Sequence, residues 1–176
     1  MRATQQFGAV LSRSEIEILL KKSPPLMEGL VDEKQQLQPN GIDLTVRSIA
    51  ILSSQGKIGV RNEERVLSRS SPLVFDGLGC IDLVPGQYLV TFNEVVHLPK
   101  DIMALARPRS SLLWCGVTVE TAVWDAWYEG RSQSLLVVHN SYGFRLERNS
   151  RLIQLVFFRL TSEAERYQGI FQGENI

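Results

Sequence analysis

The sequence has 176 residues, enough for one domain with a sizeable core, and 19 basic residues balance 19 acidic ones, so the formal net charge is zero. A protein that binds duplex nucleic acid needs a basic surface to displace counterions, so this balance argues against a nucleic-acid partner. A small anionic ligand needs only a few local cations and is not excluded. No stretch approaches the ~20 apolar residues of a membrane span, and the start of the chain around Arg2 has no long apolar run. These features predict a soluble, cytoplasmic protein with no membrane partner.

Cysteines and histidines are few and scattered. Cys80 and Cys115 stand far apart without a C-x-x-C motif, and His97 and His139 are equally isolated. A structural zinc site draws on clustered Cys and His, and the zinc-dependent nucleobase deaminases need H-x-E followed by P-C-x-x-C. The sequence therefore predicts no zinc site and two buried thiols.

Residues 11–22, LSRSEIEILLKK, predict an N-terminal helix. Ser12 can cap it and Glu15 completes a capping box, while Pro24 stops the helix soon after its end. Ile16, Leu19 and Leu20 share one face, and Leu11 before the cap can pack against Ile16 as a hydrophobic staple. This pattern is typical of a packing helix without chemistry.

From about residue 42 the sequence changes to short runs of β-forming residues between Gly, Pro and Asn turns. This rhythm favours an all-β sandwich or barrel over a parallel α/β sheet. The near-continuous apolar runs at 134–138 and 152–158 are expected to face protein on both sides, which suggests an oligomer. Residues 161–176 are polar and without a strong period, so they are expected to form a frayed tail or a mobile arm at the end of a single 1–176 domain.

A carboxylate interrupts an aromatic run at 121–131, TAVWDAWYEGR. A buried, unpaired carboxylate is costly, so Asp125 among Trp124, Trp127 and Tyr128 calls for a reason. The rings are expected to desolvate it partly and so to strengthen it as a base.

Three further polar segments are ambiguous when taken singly. Asp43 follows a Pro-Asn-Gly turn, where an Asp usually bonds its own backbone. The segment 106–116 packs arginines and serines into a candidate phosphate cradle, and a solvated turn with a helix cap at Ser110 explains it equally well. Residues 145–155 carry three arginines and Gln154, a composition typical of a solvated loop.

In this order and spacing, the segments resemble the superfamily of trimeric dUTP diphosphatases and dCTP deaminases, and within it the archaeal-type dUTPases. The motifs that carry the resemblance cover nearly the whole chain: LSRSEI, LQPNGIDLTV, VPGQYLVTFNEVVHLP, ARPRSSLL, TAVWDAWYEGRS, SRLIQLVF and YQGIFQGEN. The resemblance implies a distorted, jelly-roll-like β-barrel that assembles as a homotrimer with active sites shared between subunits. The implied reaction is hydrolysis of dUTP to dUMP and diphosphate, which keeps uracil out of DNA.

The resemblance also implies roles for single residues near the sugar and the base. Asp125 matches the residue that orients and deprotonates the attacking water, within D-x-x-Y-x-G. Tyr128 matches the ring that stacks under the deoxyribose and leaves no room for a 2′-hydroxyl. Val123 and Val137 lie on the hairpin whose main chain is expected to read uracil.

Further residues are implied for the phosphates and for support. Arg109, Ser110 and Ser111 would hold the triphosphate of a neighbouring subunit, with Mg²⁺ bound mainly through phosphate oxygens. Asp43 could touch the hydration shell of that Mg²⁺, or it could make a structural bond across its turn. The support and arm residues implied by the resemblance are Arg151, Gln154, Tyr167 and Gln172.

Several departures from the deaminases point away from deamination. Residues 136–138 are Leu-Val-Val on the strand where the deaminases carry a glutamate that works on the amino-bearing carbon. Trp114 replaces an arginine that follows their paired serines, while Ile170 and Glu174 replace a lysine and a final glutamine of their arm. The diphosphatase residues are all retained.

One departure leaves substrate strictness open, because Trp127 stands where the relatives usually have glycine. The alternatives to a dUTP diphosphatase are a dCTP deaminase, a bifunctional enzyme that converts dCTP to dUMP, and a non-catalytic nucleotide-binding trimer. A purely structural β-barrel is a further alternative.

Overall fold

The computed structural model describes residues 9–176, so the stretch around Arg2, noted above for its lack of a long apolar run, lies outside the described residues. Its helices are α1 (Arg13–Leu20), α2 (Glu33–Gln36) and α3 (Ser110–Trp114), with a 3₁₀ turn at Asn62–Glu64. Its strands are β1 (Met27–Glu28), β2 (Leu37–Gln38), β3 (Gly41–Leu52), β4 (Ser70–Leu73), β5 (Cys80–Leu83), β6 (Gly86–Phe92), β7 (Val95–His97), β8 (Ile102–Pro108), β9 (Val117–Glu120), β10 (Glu129–Gly130), β11 (Gln133–Val138), β12 (Phe144–Glu147) and β13 (Arg151–Arg159).

Helix α1 begins where the capping pattern predicts. The Glu15 carboxylate accepts hydrogen bonds from the Ser12 backbone N–H at 3.0 Å and from its hydroxyl at 2.9 Å. Ile16 and Leu19 are buried, while Ile18 on the opposite face is exposed. The helix therefore packs on the barrel through one face, as expected.

The main sheet is antiparallel and follows the order β8-β13-β3-β6-β11-β9, with β2 and β4 also paired to β3. Trp124, just beyond β9, forms a bridge with Ala104 of β8, so the two ends of the sheet meet and the barrel is nearly closed. Side chains alternate between core and outside with a period of two, as in Ser134, Leu136 and Val138 of β11. The expectation of an all-β, jelly-roll-like barrel is confirmed.

Two small sheets flank the barrel. Strands β1, β7 and β10 form one, with β7 in the middle, and β5 and β12 form the other. The first sheet fixes the chain directly after Tyr128, because Glu129 and Gly130 pair with His97 and Val96.

The expectation of two buried thiols is wrong. Cys80 is only partly buried and Cys115 is exposed, because they lie at the start of a two-stranded sheet and at the end of the short helix α3. The apolar strands β11 and β13 bury one face in the core and leave the other partly exposed within one chain, so the expected contact of the outer face with another copy stays a prediction. Among residues 9–176, none of the helices has the length and apolarity to cross a membrane.

Candidate active site

The loop that carries Asp125 is held by its aromatic residues. Trp124 exchanges two backbone hydrogen bonds with Ala104, at 3.0 and 2.9 Å, and the Tyr128 N–H donates to the Asp125 carbonyl at 3.1 Å. Trp124 and Tyr128 are 4% and 5% exposed, whereas Asp125 between them is exposed. The expected desolvation of Asp125 is therefore wrong for the single chain, since the two buried rings turn inward and leave the carboxylate at the surface.

Trp127 adopts a backbone conformation that favours glycine. Its φ is 70°, in the left-handed region where a Cβ is strained. This geometry explains why a glycine suits the position. In this chain the indole N–H donates to the Ala164 carbonyl at 3.0 Å, so the side chain anchors the start of the C-terminal arm.

Asp125 opens into a cleft of about 730 Å³. Tyr128, Val123 and Tyr167 line the same cleft, as does Glu174, which the sequence marked only as a departure from the deaminases. Ser132 and Gln133, which the sequence did not single out, line it as well. Val137 does not line it, because it lies four residues beyond Gln133 along β11. The residues lining this cleft include two carboxylates, those of Asp125 and Glu174, and no Lys or Arg.

The C-terminal arm, residues 161–176, is docked on its own chain, in contrast to the expected disorder without ligand. Glu174 forms a parallel bridge with Gly130, and the Gly173 N–H donates to the Glu129 carbonyl at 2.8 Å. Gln172 accepts from the Glu129 N–H at 3.3 Å and donates to the Trp127 carbonyl at 3.2 Å. The arm thereby covers the segment that follows Asp125.

Tyr128 is the side chain on which the arm converges. Its hydroxyl donates to the Glu174 carboxylate at 2.8 Å, and its ring meets that of Tyr167 in an edge-on contact at 5.9 Å. Burial raises the pKa of Tyr128 well above its ordinary value, and the neighbouring charge of Glu174 adds to this. Burial likewise raises the pKa of the Glu174 carboxyl, although the hydrogen bond from Tyr128 opposes the shift.

The arginine–serine segment forms the second part of the candidate site. Ser110 and Ser111 are exposed in the first turn of α3, and buried Leu112 anchors the helix to the core. Ser110 is not the helix cap, because Arg109 occupies that position and its N–H donates to the Leu152 carbonyl at 2.9 Å.

The Asp43 carboxylate pairs with two arginines, Arg109 of this segment and Arg151 of β13. Its Oδ2 lies 3.1 Å from Nε of Arg109 and 3.3 Å from Nη1 of Arg151. A bulge between Arg151 and Ile153 of β13 brings Arg151 to this position. Burial raises the pKa of Asp43, and the charges of both arginines oppose that shift.

Neither expected role of Asp43 is found. Its side chain is 2% exposed, too enclosed to touch the hydration shell of a metal, and it pairs with arginines rather than across its own turn. Gln154 lies opposite Asp43 in the pairing of β13 with β3, and opposite Arg107 in the pairing with β8. Within residues 9–176 the side chain of Gln154 makes no hydrogen bond to the serines, and its bracing role stays a prediction.

A buried carboxylate that the sequence did not reveal supports this region. Glu94 is 0% exposed and accepts from the Thr45 N–H at 2.9 Å, from the Thr45 hydroxyl at 2.5 Å and from Gln36 Nε2 at 2.6 Å. Gln36 also donates to the Asp43 carbonyl at 2.9 Å. Glu94 therefore links Thr45 of β3 to Gln36 of α2, and Gln36 in turn bonds to the backbone of Asp43, whose side chain pairs with the arginines. In the sequence it stands inside FNEVVHL, part of a segment that carries the family resemblance but gave Glu94 no role.

The arginine–serine segment opens into its own cleft of about 640 Å³, lined by Arg109, Ser111 and Arg151 among others. None of the residues lining this cleft also lines the cleft of Asp125. One chain thus brings Asp125, Tyr128, Val123 and Tyr167 together, and separately brings together Asp43, Arg109, Ser111 and Arg151. Among residues 9–176, no group of three or more His, Cys, Asp and Glu side chains is placed to hold a metal ion.

Comparison with known proteins identifies the family. Residues 10–160 match the model of the dCTP deaminase-like family. A protein of Methanosarcina mazei is 48% identical over 95% of this chain and 98% of its own length, and one of Archaeoglobus fulgidus is 49% identical over 96% and 98%. Both are named probable deoxyuridine 5′-triphosphate nucleotidohydrolase.

Among solved structures, 2′-deoxycytidine 5′-triphosphate deaminase from Agrobacterium tumefaciens has the same fold. The match has a TM-score of 0.67 at 21% identity and covers 88% of this chain, which spans about half (49%) of that deaminase chain. By its fold, by the match over residues 10–160 and by its relatives, the chain belongs to the dCTP deaminase-like family.

Proposed function

We propose that the protein is a dUTP diphosphatase that hydrolyses dUTP to dUMP and diphosphate, and so supplies dUMP and keeps uracil out of DNA. The observation that carries this proposal is the exposed carboxylate of Asp125 beside the fixed ring of Tyr128 in one cleft. The near-half identity to two proteins named as dUTP nucleotidohydrolases supports the substrate.

Asp125 acts as the general base in this proposal. It orients a water molecule and takes its proton while the water oxygen bonds to the α-phosphorus and the bond from the α-phosphorus to the bridging oxygen breaks, releasing diphosphate. Its exposure in the cleft leaves room for both water and nucleotide. Tyr128 supports the deoxyribose, and the main chain around Val123, which lines the cleft, reads the uracil ring, whereas Val137 lies outside the cleft and takes no part.

The phosphates are held by Arg109, Ser110 and Ser111 of a neighbouring copy in a homotrimer. The support for this is electrostatic, because a triphosphate needs cations and the cleft of Asp125 is lined by none. The cations lie in the separate cleft of the same chain, where Asp43 holds them in place. Two copies placed with these clefts face to face would complete one site.

Mg²⁺ enters the proposal as a cation carried by the substrate. A hard cation of this kind keeps most of its waters and would be held mainly through oxygens of the nucleotide. When bound, it would neutralise charge on the phosphates. The protein contributes the arginines and serines beside it, with Arg151 and Gln154 in support and Tyr167 and Gln172 as arm residues.

Deamination is disfavoured because β11 presents no carboxylate to the base. Leu136 and Val138 are buried in the core, and Val137 between them is apolar. A proton shuttle at the amino-bearing carbon therefore has no acid or base on this strand.

The test is release of diphosphate from dUTP in the presence of Mg²⁺, with dCTP as the parallel substrate and ammonia as its readout. We expect diphosphate from dUTP and no ammonia from dCTP. Ammonia release would favour the deaminase or bifunctional alternative. Tight nucleotide binding without either product would favour a non-catalytic nucleotide-binding trimer.

A further inference from the structure

Glu174 occupies a defined place in the cleft of Asp125. Its carboxylate accepts the hydrogen bond from the Tyr128 hydroxyl at 2.8 Å, and its side chain lines the cleft next to Tyr167. A charged acceptor makes this hydrogen bond stronger than a neutral one would. Glu174 therefore contacts the atom at the tip of the ring that supports the sugar.

The backbone around Glu174 is fixed to the same chain. The Arg131 N–H donates to the Glu174 carbonyl at 2.8 Å, and the next residue, Asn175, exchanges two hydrogen bonds with Arg131 at 3.1 and 2.9 Å. Because Arg131 directly follows β10, the position of Glu174 is tied to the strand that begins right after Tyr128. The arm and the ring thus form one unit within a subunit.

We propose that Glu174 is a positioning residue for the Tyr128 ring, holding it at the tilt that accepts the deoxyribose and holding the arm over its own subunit. This inference rests on the proposed function, since it assigns Tyr128 to the sugar. Tyr128 is 5% exposed and meets Tyr167 edge-on, so its position is limited on one side by a ring and at its tip by Glu174. Loss of the tip contact frees the ring to swing and the arm to detach.

The charges in the cleft bear on which side chain at position 174 can hold the Tyr128 ring. Tyr128, Tyr167 and Asp125 share the cleft with Glu174, and the lining residues include no cation to offset the two carboxylates. The nearby cation is Arg131, whose N–H and Nε bond to the backbone carbonyls of Glu174 and Asn175. Glutamine can accept the same hydrogen bond without the charge. A positioning role for Glu174 thus predicts that glutamine replaces it and alanine does not.

The experiment compares Glu174→Ala, Glu174→Gln and the control Glu165→Ala, which removes an exposed glutamate of the same arm. In Glu174→Ala, the KM for dUTP should rise about tenfold with kcat changed much less, because the Tyr128 ring that supports the deoxyribose loses its hydrogen bond to a charged group. Glu174→Gln and Glu165→Ala should stay near the wild-type KM.

A second readout needs no turnover. Amide hydrogen exchange at Gly173 and Arg131, whose N–H groups bond across the arm, should accelerate about tenfold in Glu174→Ala and remain slow in Glu174→Gln and Glu165→Ala. If the wild-type protein fails to hydrolyse dUTP while the three variants still show these exchange rates, the proposed function is refuted. The contact between Glu174 and Tyr128 would then still stand.

Two results would overturn the inference itself. One is a Glu174→Ala protein whose arm exchange and KM match those of Glu165→Ala. The other is an arm that opens in Glu174→Ala while KM and the affinity for a non-hydrolysable α,β-imido analogue of dUTP stay at wild-type values, because the contact would then be structural only.

Discussion

The buried carboxylate of Asp43 lies 3.1 Å from Nε of Arg109, and the same oxygen lies 3.3 Å from Nη1 of Arg151. One carboxylate thus fixes the positions of two arginines, one at the start of α3 and one on β13, ahead of phosphate binding. Preset cations stabilise phosphate charge without reorganisation during the reaction.

Replacing Asp43 with asparagine should release both arginines. Breaking a buried pair by removing one partner leaves the others uncompensated, so we expect a loss of about 3 kcal/mol in the free energy of unfolding. The KM for dUTP should rise as well, since Arg109 is no longer fixed. Urea unfolding and initial-rate kinetics measure the two effects.

The matched control is Asp82→Asn, which also removes a carboxylate that pairs with an arginine, at 2.7 Å from Arg145, but on an exposed strand. Exposed pairs contribute about 0–1 kcal/mol, so this variant should keep wild-type stability. Equal losses in the two variants would show that Asp43 has no special place at the site.

Glu94→Gln should destabilise the protein despite its near-identical shape. Both oxygens of Glu94 accept hydrogen bonds, from Gln36 and from the N–H and hydroxyl of Thr45. An amide would face one of these donors with its own NH₂ group, and the unsatisfied donor costs about 1–3 kcal/mol. Glu147→Gln on exposed β12 is the control, and equal thermal stability of the two variants would contradict the assignment.

The same substitution should change the dependence of stability on pH. Burial raises the pKa of Glu94, with the hydrogen bonds from Thr45 and Gln36 opposing the shift. Because the folded pKa lies above that of the unfolded chain, the contribution of Glu94 to stability is complete below the ordinary glutamate pKa and is lost as pH rises through the folded value. The gap in unfolding free energy between wild type and Glu94→Gln should therefore narrow from acidic to neutral pH, and a widening gap would contradict the raised pKa.

Trp127 offers a direct test of backbone strain. With φ at 70°, glycine should be more stable than alanine at this position by about 1 kcal/mol, so Trp127→Gly should unfold at higher urea than Trp127→Ala. The reverse order is expected at Glu17 on α1, where alanine favours the helix. Trp127→Ala matching or exceeding Trp127→Gly would mean that the left-handed conformation is not retained.

The fold was accessible from the sequence because its signals are local. The Ser12–Glu15 capping box predicts the start of α1, and short β-forming runs between turns predict the barrel. The run YLVTFNEVVHL reads as one strand but is two, β6 and β7, because the chain turns at Asn93 and Glu94. Glu94 has partners 49 and 58 residues away in sequence, so no local pattern could reveal the interruption.

The candidate site was predicted in its residues and not in its surroundings. Asp125, Tyr128 and the arginine–serine segment were singled out because they match family motifs, while Trp127 was marked only as a departure from a glycine, with no indication of its left-handed backbone. The exposure of Asp125 depends on which way the neighbouring rings turn, and the pairing of Asp43 with Arg109 depends on strand register. Such long-range geometry is not encoded in the spacing of a single segment.

In the proposed homotrimer each active site is built from two subunits, with Asp125 from one and Ser110 from the next. The direct test is co-expression of Asp125→Asn and Ser110→Ala chains under different tags, followed by purification of the mixed assemblies and assay of diphosphate release from dUTP. Each variant alone should be nearly inactive, and the purified mixed trimers should regain about one third of the wild-type sites, since a cyclic trimer that contains both variants joins an intact Asp125 to an intact Ser110 at one of its three interfaces. Mixed assemblies that stay as inactive as either parent would contradict the shared site.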